Sequence, residues 1–167
     1  MFIALKKLLD RTLEFLVTIS MGVLVIDVVW QVITRYLLKN PSSWTEELAT
    51  FLMIWVGLLG ASVALNRGSH LGIDYIVSKM SRRKAMYVSL FVFTLIMFFS
   101  LSVMVIGGIQ LVYRVLITNQ VSPALGLKMG YVYLAIPISG LFLVIYSIEL
   151  FFKTLAGGSR EEKGAQL

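Results

Sequence analysis

Cysteine is absent from this sequence of 167 residues, and histidine occurs only once. The chain therefore cannot form a disulfide, a thiolate metal site or a cysteine nucleophile, and one histidine argues against a multi-histidine metal site. Charged residues are also scarce, at 14% of the chain, against about 25% in soluble domains. Hydrophobic residues, in contrast, reach 58%. These shortages exclude cysteine chemistry and favour a membrane protein over a soluble domain.

Four apolar stretches are long enough to cross a bilayer, which takes about 20 residues. They cover residues 12–34, 48–65, 85–113 and 129–152. The sequence thus predicts an all-α integral membrane protein with a single four-helix transmembrane domain over residues 1–155. The polar, glycine-containing segment 156–167 is expected to be a disordered C-terminal tail.

The basic residues are distributed unevenly between the two ends of the predicted spans. Eleven of the 15 lie before the first span, between the second and third, or after the fourth. The positive-inside rule therefore places both termini and the central basic loop in the cytoplasm. Basic loops facing anionic phospholipids account for the net charge of +6. We expect membrane phospholipids, and no nucleic acid, among the partners.

The central basic loop contains a short amphipathic segment. Ile73 and Val77 recur at helical spacing, and Asp74 lies on the opposite face. Such a helix is suited to the cytoplasmic membrane surface rather than to crossing the bilayer. Arg67 precedes this segment, and His70 lies four residues before Asp74. A His–Asp pair can act in catalysis, but no nucleophile or metal ligand accompanies it, so a hydrogen-bonded structural pair is the favoured interpretation.

Asp27, Gln31 and Arg35 follow one another at intervals of four residues in the outer half of the first span, so they share one helix face. A carboxylate inside a span is costly and requires a partner. Two interpretations stay open. One is an ion or proton site. The other, which we favour because only one acid lies deep, is a buried polar stripe that fixes this helix to a neighbour, with Arg35 or Arg114 balancing Asp27.

The second span contains two pairs of small residues at helical spacing. Gly57 and Ala61 form one pair, and Gly60 and Ala64 form another on the neighbouring face. Small residues four apart let two helix backbones approach closely within lipid. We therefore expect this side of the second span to pack against another helix rather than against lipid.

Trp44, Glu46 and Glu47 stand at the outer edge of the second span. Ser42 or Ser43 is suited to capping the helix, and an acid in its first turn complements the helix dipole. Tryptophan also suits the membrane–water interface. Capping explains one acid well. Two acids beside a tryptophan, facing the outer compartment, also make a docking edge for a basic patch on another protein.

Two blocks of the sequence resemble a known family. The first contains Trp44-x-Glu46-Glu47, Trp55-x-Gly57, Leu59-Gly60, Ser62-Val63-Ala64, Arg67, His70 and Asp74, and the second contains Ser122-Pro123-Ala124-Leu125-Gly126, Tyr131-Val132-Tyr133, Pro137 and Gly140. In this order, with Arg35-Tyr36 before the first outer loop, they resemble the small membrane subunit (the DctQ-like, or Q-type, subunit) of a TRAP transporter, a tripartite ATP-independent periplasmic transporter. Lys128 departs from the pattern, since proline or an apolar residue is expected there.

The resemblance implies a scaffold role. In that family a soluble periplasmic protein captures an organic acid, and a large membrane subunit moves it inward as a sodium-driven elevator. The small subunit extends the immobile scaffold, helps to receive the binding protein and has no established transport site. The resemblance thus implies a multi-pass protein of the bacterial inner membrane, without enzyme activity or cofactor. Sialic acid, four-carbon dicarboxylates and keto acids are all substrates in the resembled family.

The residues expected at the interfaces with the large subunit and the binding protein fall in two groups. The outer edge contributes Arg35, Trp44, Glu46 and Glu47. The second span contributes the four small residues Gly57, Gly60, Ala61 and Ala64.

A stand-alone, proton-coupled exporter resembling the small multidrug-resistance proteins is the alternative. It too has four spans and an acid in the first helix, but such chains are much shorter and their acid lies at mid-membrane. Glu14 is too near the cytoplasmic edge for that role, and Asp27 is too near the outer edge. An intramembrane enzyme is disfavoured because the chain has no cysteine and its one histidine lies at a membrane edge.

Overall fold

The computed structural model describes residues 2–40, 42–67 and 80–164 of the chain. Within these residues the backbone is almost entirely helical, and the only extended pairing is an isolated bridge between Val121 and Lys128. The helices are α1 (Phe2–Tyr36), α2 (Ser43–Asn66), α3 (Arg82–Phe99), α4 (Gly108–Ile117), α5 (Met129–Tyr133) and α6 (Ala135–Gly164), with a π-helical segment, Ser100–Gly107, between α3 and α4.

Four helical stretches are long and apolar enough to cross a membrane, which confirms the predicted all-α fold with four spans. They are Lys6–Tyr36, Ser43–Asn66, Arg83–Ile117 and Met129–Ala156. The α6 helix continues to Gly164, whereas the sequence led us to expect a disordered tail from residue 156. The glutamates, lysine and arginine of this extension favour helix, although Gly157 and Gly158 do not. The predicted amphipathic segment, with His70 and Asp74, lies outside the described residues.

The four spans lie side by side in the order first, second, fourth, third. The α1 helix packs against α2, α2 packs against α6, and α6 packs against α3 and the π-helical segment, while α1 and α3 do not meet. The chain therefore forms a row of helices rather than a closed bundle. Large apolar side chains, such as Ile26 on α1 and Phe98 on α3, stay exposed and require lipid or another protein around them.

The two ends of this row of helices contain different parts of the chain. The terminal end holds the start of α1 and the end of α6, and the loop end holds the α1–α2 and α4–α5 connections. The buried apolar core lies toward the terminal end, where Leu13, Leu59, Leu65 and Tyr146 come together. The Tyr146 hydroxyl donates a hydrogen bond of 2.7 Å to Asp10 Oδ1, so α1 is tied to α6 through side chains.

Two ion pairs fix the register between α1 and α2. Arg67 donates to Glu14 at 2.9 Å, and Arg35 donates to Glu46 at 2.5 Å. The pairs lie the same number of residues apart on both helices, which corresponds to about 30 Å at a rise of about 1.5 Å per residue. That separation matches the hydrocarbon core of a bilayer, about 30 Å thick. The two pairs thus stand at the two expected membrane boundaries.

The contacts of α6 with the π-helical segment and with the first residue of α4 are close. A Cβ atom on Gly140 would lie 2.7 Å from the Cβ atom of Met104, and a Cβ atom on Gly108 would lie 3.0 Å from Pro137. Glycine at these two positions is what permits the approach. The interruption between α5 and α6 falls at Leu134, because Pro137 cannot donate a hydrogen bond to the carbonyl of Tyr133.

The Tyr146→Phe substitution is expected to destabilise the isolated chain by about 1 kcal/mol, because it removes one buried hydrogen bond. Tyr131→Phe is the matched control, since the Tyr131 side chain is exposed. Thermal unfolding in detergent measures both. Equal melting temperatures for the two variants would show that the bond to Asp10 adds nothing.

Candidate partner-docking site

At the loop end, Glu47 joins the start of α2 to the α4–α5 loop. Its Oε1 accepts a hydrogen bond from the amide of Ala124, and its Oε2 accepts one from the amide of Leu125, both at 3.0 Å. These partners are far away in sequence, so the carboxylate closes a long-range contact. Glu47 therefore holds the loop in place, a role that its position at a helix start did not reveal.

The loop has its own hydrogen bonds. The Ser122 amide donates to the carbonyl of Leu127 at 2.9 Å, and the Met129 amide donates to the carbonyl of Gln120 at 2.9 Å. Gly126 has a φ of +65°, a conformation that other residues adopt only at a cost. Lys128, the departure from the family pattern, takes part in the bridge to Val121. The loop is thus an ordered turn fixed to α2 by Glu47.

The rest of the predicted outer edge lies beside this contact. Trp44 is exposed, and Glu46 is paired with Arg35 of α1. Ser42 precedes the helix as its N-cap residue, but its side chain makes no capping hydrogen bond. Instead, the buried Thr45 hydroxyl donates to the Ser42 carbonyl at 2.8 Å. Capping by a serine side chain, one explanation for this sequence pattern, is therefore wrong.

A groove opens between the first turns of α2 and the loop, with a volume of about 230 Å³. Its residues are Glu46, Glu47, Thr50, Phe51, Ser122, Pro123 and Met129. Two carboxylates form its polar side, and an aromatic ring, a proline and a methionine form its apolar side. The predicted acidic edge thus forms one side of a shallow, open groove.

The Glu47→Ala substitution is expected to loosen the α4–α5 loop. Without the carboxylate, the amides of Ala124 and Leu125 lose their acceptor, and their hydrogen exchange should accelerate by about tenfold, which corresponds to about 1.4 kcal/mol. Glu46→Ala is the matched control, because Glu46 bonds Arg35 and not the loop. Hydrogen–deuterium exchange read by mass spectrometry compares them. Equal exchange in both variants would contradict the anchoring role.

The polar stripe of α1 is arranged differently from our expectation. Asp27 is buried at 6% exposure, and its Oδ2 atom has no hydrogen-bond partner among the described residues. No ion pair among the described residues joins it to Arg35 or Arg114, and a role for the stripe in fixing α1 to a neighbour stays a prediction. Arg35 instead forms an ion pair with Glu46, which lies opposite it on α2. Gln31 is partly buried one turn away.

The small residues of α2 face outward. Gly57 and Ala61 are exposed, and a Cβ atom on Gly57 or on Gly60 would meet no other described element within 4 Å. Ala64 is partly buried on the same side of the helix. Close packing between helices of this chain instead occurs at Gly108 and Gly140. Their spacing in the sequence did not indicate these contacts. Close packing between the described helices thus does not use Gly57 or Gly60.

The surface-helix residues are only partly described. Arg67 lies at the end of α2 and bonds Glu14 through two guanidinium nitrogens, at 2.9 and 3.1 Å. Arg67, which we grouped with His70 and Asp74 from the sequence, thus forms an ion pair with α1. Among the side chains that the structure describes, no three acidic or histidine residues come together to hold a metal ion.

The fold and this site define a multi-pass membrane protein whose polar features tie its own helices together or form an open edge. The comparison with known families agrees with this class. Residues 9–157 match the family described as "Tripartite ATP-independent periplasmic transporters, DctQ component". The chain belongs to this family and is a transporter membrane subunit, not an enzyme.

The chain is also similar to individual proteins that are named as TRAP transporter components. The chain is 28% identical to the sialic acid TRAP transporter small permease protein SiaQ of Vibrio cholerae over 90% of this chain and 86% of that protein. It is 33% identical to the C4-dicarboxylate TRAP transporter small permease protein DctQ of Vibrio cholerae over 41% of this chain and 30% of that protein. A third relative, the sialic acid TRAP transporter permease protein SiaT of Haemophilus influenzae, is 36% identical over 37% of this chain and 10% of that protein.

Proposed function

We propose that this chain is the small scaffold subunit of a sodium-driven TRAP transporter that imports an organic acid into a bacterial cell. It packs on the large, elevator-type membrane subunit and helps to dock the periplasmic substrate-binding protein. The observation on which this rests is the small-residue face of α2, where a Cβ atom on Gly57 or Gly60 would meet no other described element within 4 Å. In lipid, such a face favours close packing of another helix.

The proposal places the loop end in the periplasm and the terminal end in the cytoplasm of the inner membrane. The distribution of basic residues supports this orientation through the positive-inside rule. The groove at Glu46 and Glu47 then opens toward the compartment in which a soluble binding protein arrives. The large subunit and the binding protein thus approach different parts of the chain.

Substrate passage belongs to the large subunit in this account. The groove of about 230 Å³ is smaller than typical small-molecule sites, which have about 300–1,000 Å³. The names of the relatives mention sialic acid and C4-dicarboxylates. Both carry carboxylates, so the substrate class we propose is an organic acid: sialic acid, a dicarboxylate or a keto acid.

Reconstitution tests the proposal. Proteoliposomes would contain the large subunit with or without this chain, together with the binding protein and a sodium gradient, and uptake of radiolabelled N-acetylneuraminate, succinate and a 2-oxo acid would be measured. We expect sodium-dependent uptake of one of these acids only when both membrane subunits are present. Equal uptake without this chain would contradict the scaffold role, and drug-dependent proton release by this chain alone would favour the exporter.

A further inference from the structure

The groove at the loop end carries a negative charge that no described residue balances with an ion pair. Glu46 forms an ion pair with Arg35, but Glu47 forms no ion pair with any cation among the described residues. The amides of Ala124 and Leu125 fix the Glu47 carboxylate in one orientation. A carboxylate that is already held in place loses little entropy when it binds a cation.

The remaining walls of the groove are suited to the apolar stem of a long side chain. Phe51 and Pro123 line it from opposite elements, and Met129 adds a flexible apolar surface. Lysine and arginine place their methylene groups on such surfaces while the charged head reaches polar atoms. The volume of about 230 Å³ is smaller than a typical pocket for a drug-sized molecule, so one side chain is the fitting occupant.

We propose that this groove receives one lysine or arginine side chain of the soluble substrate-binding protein when that protein docks at the loop end. The proposal rests on the proposed function, since it requires a binding protein to arrive there. The incoming cation contacts the carboxylates of Glu46 and Glu47, and its stem covers Phe51. A phospholipid amine offers the same cation, but its adjoining phosphate would bring a negative charge toward both glutamates, so a basic protein side chain fits better.

A lysine side chain introduced into the groove by mutation tests this inference. Thr50 is exposed in the groove, one helical turn after Glu46 and Glu47. In the Thr50→Lys variant, the new ammonium group would reach both carboxylates, since residues three and four apart on a helix are neighbours. It would therefore compete with the incoming side chain. Gln120→Lys is the matched control, because it adds the same charge at the loop end outside the groove.

The experiment uses the complete complex of this chain with its large subunit in phospholipid nanodiscs. The dissociation constant of the cognate binding protein would be measured by biolayer interferometry at low and at physiological salt. We expect Thr50→Lys to weaken docking about tenfold, as for one lost charge-assisted contact, and Gln120→Lys to change it less than about twofold. Thr50→Gln, which adds length without charge, should weaken docking less than Thr50→Lys.

The outcomes separate the two proposals. If the binding protein docks on the wild-type complex and Thr50→Lys leaves its affinity unchanged, the groove proposal is overturned while the scaffold role stands. Equal weakening by Thr50→Lys and Gln120→Lys would also overturn it, because the added positive charge would then act at long range rather than by occupying the groove. Loss of a bound phosphatidylethanolamine from Thr50→Lys in native mass spectra, with docking intact, would assign the groove to lipid. If the wild-type complex does not dock the protein, the docking part of the proposed function fails first.

Discussion

Replacing Gly140 by alanine lowers the thermal stability of the chain, whereas replacing Gly57 by alanine does not. A Cβ atom at Gly140 would lie 2.7 Å from the Cβ of Met104 and 3.3 Å from its backbone carbonyl carbon. Neither atom can move away without shifting the π-helical segment, so overpacking should cost about 1–3 kcal/mol. At Gly57 nothing lies within 4 Å of the added atom, and alanine favours helix.

Thermal unfolding of the isolated chain in detergent compares the two variants directly. We expect a lower melting temperature for Gly140→Ala and an unchanged or slightly higher one for Gly57→Ala. The two substitutions add the same methyl group to a helical glycine in a span, so helix propensity cancels in the comparison. If both variants melt with the wild type, α6 and the π-helical segment are not packed as closely as described.

Assembly with the large subunit should be lost when the small-residue face of α2 is enlarged. We expect the double variant Gly57→Leu, Ala61→Leu to fold as the isolated chain, because both positions are exposed. It should nevertheless lose most of its large subunit on purification, since two leucines prevent the close approach of helix backbones that small residues allow. A tenfold loss of bound partner corresponds to about 1.4 kcal/mol.

Gly22→Leu provides the control for this second prediction. Gly22 is an exposed glycine on α1, and a Cβ atom there also meets nothing within 4 Å. The quantity measured is the amount of large subunit that co-purifies with each tagged variant. If Gly22→Leu loses the partner and the α2 variant keeps it, the interface lies on α1, and the assignment of the α2 face is wrong.

The spans were predictable from the sequence because they depend on local composition. An apolar run of sufficient length must become a helix in lipid, where every backbone amide needs an internal partner. The break before Pro137 was predictable for a similarly local reason. The outward orientation of Gly57 was not predictable. Small residues at helical spacing indicate a packing face, but they do not show whether the neighbouring helix belongs to the same chain.

The contacts of the acidic edge could not be derived from the sequence. Glu47 and Ala124 are separated by 77 residues, and nothing local to either indicates the other. The pairing of Arg35 with Glu46 rather than Asp27 depends on the α1–α2 register, which is set jointly with the distant pair of Glu14 and Arg67. The π-helical segment also has no clear local signal, since it forms where two helices meet at Gly140.

A quantitative pull-down tests most directly whether this chain is a subunit of a larger membrane complex. The chain would be tagged in its native host, solubilised in mild detergent, purified and analysed by mass spectrometry. We expect to recover a large, many-span membrane protein in an amount equal to the tagged chain. Recovery of the chain alone or as a homodimer would contradict it, and Asp27 would then be the first residue to test as a transport site.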